Sequence, residues 1–251
     1  MKKMQWGEDP NFSGPRNWFR ETLMLTEILK HKEKGNIIDF GCGSGTLLIR
    51  LARLGFNGIG VDISESAINF FKMEILKNKL ESKLHVRRAD VDVFSKLRDK
   101  FEVIIAGEVL EHLKDDKKAI RSFYNALIKG GICVISVPAH MYLWDINDKF
   151  SSHFRRYEKK ELIDLFSKAG FSVKKIYHWG FPLSFFWHKY AYLTLIEKKI
   201  SQNKTYSNSS TLFGLILSHH KFKQLFSLPF YFDQLFNWTN LGGGLILVAE
   251  K

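Results

Sequence analysis

The run Asn36-Ile-Ile-Asp-Phe-Gly-Cys-Gly-Ser-Gly-Thr46 restricts the possible folds more than any other stretch of the chain. Ile37 and Ile38 are the apolar end of a short strand, and Asp39 stands where that strand opens into a turn. Gly41, Gly43 and Gly45 let the backbone turn tightly and approach a ligand with no Cβ in the way. From Thr46 the apolar residues Leu47, Leu48, Leu51, Ala52 and Leu54 recur at helical spacing. Strand, glycine turn and helix N-terminus together form a corner of nucleotide size. A second apolar strand, Gly58-Ile-Gly-Val-Asp62, then ends in an acid. It lies at the distance, about 20 residues on, where such an acid reaches ribose hydroxyls.

Dinucleotide-binding domains share these parts, but with the spacing Gly-x-Gly-x-x-Gly. Here Asp-x-Gly-x-Gly-x-Gly is followed by the Asp62 strand. That arrangement resembles the first motif and acidic partner of class I S-adenosylmethionine-dependent methyltransferases. The resemblance implies an α/β fold: a Rossmann-like, seven-stranded methyltransferase sheet with helices on both faces. A helical, aromatic C-terminal insertion precedes the last strand, which runs antiparallel. The resemblance implies S-adenosylmethionine or S-adenosylhomocysteine as cofactor, with contacts at Asp39, Gly41, Cys42, Gly43, Asp62 and Ile63. Asp90, closing a third strand from Leu84, would bond the adenine amino group with Val91 behind it, and Glu108 would face the cofactor after the fourth strand. Asp39 also fits as a turn cap, and Asp90 as a surface carboxylate. An NAD-dependent oxidoreductase would share the glycines and Asp62, but it predicts no adenine acid and a different glycine spacing.

A length of 251 residues suits one domain with a full core and a modest insertion. The divisions fall at about 15–35 for an N-terminal helix, 36–180 for the cofactor core, 181–242 for a lid or substrate insertion and 243–251 for the last strand. Helices are predicted over Glu65–Asn78, Asp115–Ile128 (stopped by Gly130-Gly131) and Glu158–Ala169. The remaining strands are expected at Phe101–Ala106, Gly131–Val137 and Phe171–Trp179. On the first helix, Trp18 and Phe19 either close over the methionine end of the cofactor or anchor the helix to the sheet. Cys42 and Cys133 fall within core elements, so no disulfide framework is indicated. The opening Met-Lys-Lys-Met-Gln-Trp has no apolar signal core, and no uncharged apolar run reaches the ~18 residues of a membrane span. A cytoplasmic protein is expected, with peripheral membrane contact as a variant.

The net charge of +12 suits acidic partners such as nucleic acid, phosphorylated substrates or an anionic membrane, and equally a merely lysine-rich surface. Nine of the 22 phenylalanines follow residue 180, beside Trp187, Tyr190, Tyr192, Tyr231 and Trp238. Two helical stretches, around Phe185–Lys199 and Thr211–Phe226, flank the polar loop Ser201–Ser210. These aromatics either pack a lid onto the sheet or meet a lipid-like acceptor or a membrane beside Lys198, Lys199, Lys221 and Lys223.

Two constellations carry chemistry beyond the cofactor. Glu108, Glu111 and His112 share one face if the turn after Gly107 is helical. Their oxygen and nitrogen donors can hold a divalent metal. The same Glu-x-x-Glu-His pattern resembles that of small-RNA 3′-end and ubiquinone-pathway methyltransferases, with His153 in place as the later ligand. Elsewhere in class I enzymes Leu-Glu-His-Leu only shapes the cofactor pocket. The second constellation, Pro138-Ala-His…Leu-Trp followed by His153-Phe-Arg-Arg-Tyr157, sits at the strand ends where open α/β sheets place substrates. His140 or His153 would act as general base. Of Arg155 and Arg156, one would grip an anionic acceptor beside Tyr157 and the other would pair with Asp145 or Asp148.

The expected reaction is methyl transfer to an oxygen or nitrogen of a small-molecule, saccharide or lipid-linked acceptor with an anionic group. The alternatives are a metal-dependent RNA ribose 2′-O-methyltransferase and a non-catalytic, cofactor-binding homologue. Nucleic acid is not favoured, because the basic residues are scattered and no RNA-reading aromatic motif is present.

Overall fold

Alternation along the central strands sets the layers of the molecule, seen in a computed structural model that describes residues 14–97, 100–194 and 220–251. Ile37, Val103, Ile105, Val134 and Ile246 belong to one apolar cluster, while Ile38, Ile104, Ile135, Leu245 and Leu247 belong to a second. Strands that are apolar on both faces need helices on both. The sheet comprises β1 (Asn36–Phe40), β2 (Asn57–Asp62), β3 (Leu84–Arg88), β4 (Phe101–Gly107), β5 (Leu127–Pro138), β6 (Ser172–Trp179) and β7 (Gly244–Glu250). Its order is β3-β2-β1-β4-β5-β7-β6, and β7 runs antiparallel to both neighbours.

The first cluster is closed by α1 (Pro15–His31), α2 (Thr46–Arg53) and α3 (Glu65–Lys77), and the second by α4 (Asp116–Ala126) and α6 (Lys159–Lys168), with the short α5 (Ile146–Phe150) between those two. Strand order reverses between β1 and β4, so the carboxyl ends of those two strands open a crevice.

The end of α4 differs from expectation. The helix stops at Ala126, and β5 begins at Leu127, paired with Phe101, before the Gly130-Gly131 pair is reached. A long-range strand pairing captures this backbone, and Gly130, at φ 73, bends β5 instead of capping the helix. Strand β3 likewise ends at Arg88, leaving Asp90 to cap a 3-10 turn by accepting from Asp92 N.

The insertion after β6 contains α7 (Leu183–Phe186), a π-helical stretch over Trp187–Tyr192, α8 (His220–Ser227) and a 3-10 stretch over Leu228–Phe236. The buried Asp233 carboxylate ties it down, accepting from Leu183 N at 2.8 Å and Ser184 N at 2.9 Å. Phe230 joins Phe19 and Trp179 in the core, whereas Phe232, Leu235 and Trp238 are exposed. Its aromatics therefore divide between packing and surface. The polar loop at 201–210 and Lys198 and Lys199 lie outside the described residues, as do the adjoining parts of both expected helices. No helix among the described residues is long and apolar enough to cross a membrane.

Candidate active site

The glycine turn is held by the neighbouring strand. Gly41 N and Cys42 N both donate to Val61 O, at 2.7 and 3.1 Å. Gly41 has φ 75, and a Cβ there would collide with the Val109 side chain. Gly43, at φ 51, has open space where its Cβ would be, the room a ligand needs. Asp62 closes the corner. Its Oδ2 accepts from Gly43 N at 3.0 Å and its Oδ1 from Ser64 N at 2.8 Å. Burial raises the Asp62 pKa, and these amides act against that rise. Ile63 beside it is 65% exposed, an apolar surface next to the Asp62 carboxylate. Asp90 is exposed, and Val91 packs partly against the core.

At the other end of the corner, α1 brings Arg20 and Glu21 to a small cavity that Asp39, Gly41, Ile105 and Gly107 also line. Burial, with Glu21 and Asp62 nearby, raises the Asp39 pKa to about 8, and Arg20 opposes the rise. Glu21 is also raised by burial, against Arg20, Arg50 and Lys223. Arg20 Nε is buried with no hydrogen-bond partner among the described residues. Sequence reasoning missed both charges. The available signal was spacing: Arg20 lies four residues before Met24 and eight before Ile28, on the stripe that faces the core. Trp18 and Phe19 are both anchors: Trp18 stacks under Arg50 at 4.3 Å, and Phe19 packs against Trp179 and Phe230.

Beyond Gly107 the backbone enters the left-handed region at Glu108 (φ 58), costing roughly 1–2 kcal/mol for a side chain of this type. That conformation aims its carboxylate back toward the crevice, where it accepts from Ser136 Oγ at 3.0 Å and pairs with Arg20 at 3.7 Å. The segment that follows is one 3-10 turn, Leu110–His112. Glu108, Glu111 and His112 thus do not line up along a longer helix. Instead Glu111 and His112 converge with His153, and their ligand atoms lie within 4.8 Å of one another.

Glu111 is completely buried, and neither carboxylate oxygen has a partner among the described residues. Burial, reinforced by Glu108, pushes its pKa well up. Burial and His153 bring His112 down to about 4, so its ring is neutral. The His112 and His153 rings meet edge to face at 4.6 Å. His153 Nδ1 is 2.8 Å from Asp148 Oδ1, and Arg156 grips the same carboxylate through Nε and Nη2. A carboxylate behind the imidazole fixes the Nδ1-protonated tautomer and leaves the Nε2 lone pair for the cluster. A buried unpaired carboxylate, a neutral imidazole and a pre-oriented histidine suit a divalent cation.

The other residues expected to meet the acceptor are enclosed. Residues 155–157 run beside the end of β5 through an Ala139–Tyr157 bridge, so their side chains alternate. Arg155 and Tyr157 both reach Asp116, at 2.7 and 2.9 Å. Arg156, on the opposite side, goes to Asp148 and Asp145. Each arginine is therefore ion-paired within the protein, and the Tyr157 hydroxyl is buried, its pKa raised by burial and by Asp116. His140 is buried as well, with Nδ1 3.0 Å from Glu158 and Nε2 2.9 Å from Asn240 O. Both its ring nitrogens are engaged, so His140 offers no lone pair to an acceptor proton in this conformation.

The profile described as "Methyltransferase domain" matches residues 15–176. A ubiquinone biosynthesis O-methyltransferase of Pelagibacter ubique is 29% identical over 153 residues, 56% of this chain and 62% of that protein. The chain spans about half the length of the curated relatives it matches. Among solved structures, phosphoethanolamine N-methyltransferase 2 of Haemonchus contortus, in complex with S-adenosyl-L-methionine, aligns with TM-score 0.66 at 18% identity, covering 99% of this chain and 56% of that one. The 4+2 cyclase SpnF aligns with TM-score 0.67 at 18% identity, covering 99% and 86%. What is shared at such identity is the fold, and its presence in a cyclase means that chemistry has to be argued from the site.

Proposed function

The chain belongs to the methyltransferase-domain family, the class I S-adenosylmethionine-dependent methyltransferases, and from that premise we propose that it methylates a hydroxyl of a small-molecule acceptor beside a divalent cation. The observation that carries this reading is the buried Glu111 carboxylate, unpaired among the described residues and facing two histidines one turn beyond the cofactor crevice. An amine acceptor would have less use for a cation. The O-methyltransferase relative supports the same choice.

Asp62 takes the ribose hydroxyls, and the Gly41 to Gly43 backbone lets the cofactor lie close. Asp39 and Glu21 receive the α-ammonium of its methionine end, and Arg20 receives the carboxylate. Ile63, Asp90 and Val91 border the adenine. Glu111, His112 and His153 would hold the cation, with Glu108 alongside. Such an ion would lower the pKa of an acceptor hydroxyl, which would remove the need for a free base. Methyl transfer discharges a sulfonium, so the remaining work is to hold the nucleophile in line and keep water out. Exposed Phe232, Leu235 and Trp238 suit an acceptor with an apolar tail or a lipid surface.

Turnover of phenolic acceptors should stop in EDTA and return with Mg²⁺, Mn²⁺ or Co²⁺. Full turnover in EDTA would end the cation reading, and methylation of an RNA 3′ ribose in the same assay would replace the acceptor.

Asp39 supplies a second test. Near pH 7 its carboxyl, with a pKa of about 8, is mostly protonated. An ammonium placed beside it favours the charged form, so cofactor binding should release up to about one proton. Calorimetry of S-adenosylhomocysteine in two buffers of different ionisation enthalpy should show that release in the wild type and less of it in Asp39→Asn. Identical heats in both buffers would remove the ammonium from Asp39.

A further inference from the structure

We propose that Arg20 couples the two halves of the site, so that the divalent cation and the cofactor each strengthen the other's binding. This rests on the cation reading above and adds a mechanism to it. Arg20 stands between two sets of acidic side chains. On the cofactor side it faces Asp39 and Glu21, and on the other side Glu108 and Glu111. Its closest carboxylate is Glu108, at 3.7 Å, and its side chain is only 11% exposed. Arg20 Nε has no partner among the described residues, and the Arg20 side chain lines the same cavity as Asp39 and Gly41. One guanidinium is therefore shared between Glu108 and the place where the cofactor's carboxylate belongs.

A dication among Glu111, His112 and His153 attracts the neighbouring Glu108 carboxylate. The hold of Glu108 on Arg20 weakens, and the guanidinium turns fully to the cofactor. In the reverse direction, a cofactor carboxylate on Arg20 leaves Glu108 to the cation. The two descriptions are one coupling free energy, which has to be the same whichever ligand binds first. The left-handed backbone at Glu108 fits a residue whose direction matters more than its local comfort.

The test measures S-adenosylhomocysteine affinity by calorimetry with and without Co²⁺, while visible absorption reports Co²⁺ uptake directly. Co²⁺ should tighten S-adenosylhomocysteine by at least about 5-fold, the lower end of common couplings between sites. It should leave 5′-methylthioadenosine, which has no amino-acid end, unchanged. In Glu108→Gln the metal-free protein should already bind S-adenosylhomocysteine like the Co²⁺-loaded wild type. In Arg20→Gln the dependence on Co²⁺ should vanish, while unaltered 5′-methylthioadenosine affinity shows that the corner is still folded. If Co²⁺ is taken up and the affinity does not move, the coupling is wrong and the cation site stands. If Co²⁺ is not taken up, both fall. If the effect survives Arg20→Gln, the cofactor touches the metal directly and Arg20 is not the link.

Discussion

Replacing Asp62 with alanine should weaken S-adenosylhomocysteine binding by roughly a hundred- to ten-thousand-fold. On the proposed ribose contact two hydroxyls lose a charged acceptor, and hydrogen bonds to a charged group are each worth about 1.5–3 kcal/mol. A sum of ~3–6 kcal/mol corresponds to that range at ~1.4 kcal/mol per decade. The structure adds a second contribution. The same carboxylate accepts from Gly43 N and Ser64 N, so it also holds the glycine turn in shape. Asp62→Asn separates the two effects, since an amide oxygen can keep one backbone bond while the charge disappears. Its loss should be large but smaller than that of alanine. Calorimetry showing unchanged affinity in a folded Asp62→Ala protein would overturn the ribose assignment. Tighter binding of NAD(H) than of S-adenosylhomocysteine would count against the entire cofactor reading.

Arg156→Met should cost about 3–5 kcal/mol of stability, the usual consequence of stranding one partner of a buried ion pair. Asp148 is fully buried and Arg156 is 7% exposed, so solvent does little to soften the loss. For a chain of this size a Tm drop of roughly 10 °C is expected. Arg155→Met is the contrasting control. Its side chain is 29% exposed, and Asp116 keeps the Tyr157 hydroxyl as a donor when the arginine is removed, so its loss should be smaller than that of Arg156→Met. The pH dependence has a definite sign. Burial works to raise the Asp148 pKa, but the hydrogen bonds from His153 and Arg156 overcome this and hold it well below the usual carboxylate range. A depressed carboxylate stabilises the fold above its unfolded pKa, ~3.9, and that contribution is lost as pH falls toward the folded value. The wild type should therefore lose Tm steeply below about pH 4, and Arg156→Met should show a shallower acid limb. Equal Tm values for the two proteins would show that Arg156 is not the anchor of this loop. Co²⁺ uptake should fall along with stability, because Asp148 also orients His153.

What the sequence made legible was local. Glycine spacing, a strand ending in Asp62 and doubly apolar strands are short-range patterns, and each led to the right element. Misreadings arose where a distant segment decides. Leu127 leaves its helix because Phe101 pairs with it, and no local signal at Gly130-Gly131 conveys that. His140 resembled a free base until Asn240, a hundred residues on, supplied its carbonyl. In the stretch from Asp145 to Arg156 the sequence showed that one arginine would pair with Asp145 or Asp148, but not which one. Two acids and two arginines admit several matchings, and only the Ala139–Tyr157 bridge fixes which side chain points inward. Arg20 and Glu21 went unseen because charged residues on a helix are ordinarily taken for its wet face.

The placement of β7 also governs the order in which the molecule can be built. Among the described residues it is the only strand neighbour of β6, and it fills the gap between β6 and β5. During synthesis the segment 36–107 can pair its four parallel strands and form the glycine corner early. Strand β6, and with it the root of the insertion, has no strand to pair with among the described residues until residues 244–250 emerge. A nascent chain should therefore form its glycine corner well before the β6 edge and the insertion. Deleting the seven-residue strand β7 would detach two strands, not one, along with the insertion that follows β6.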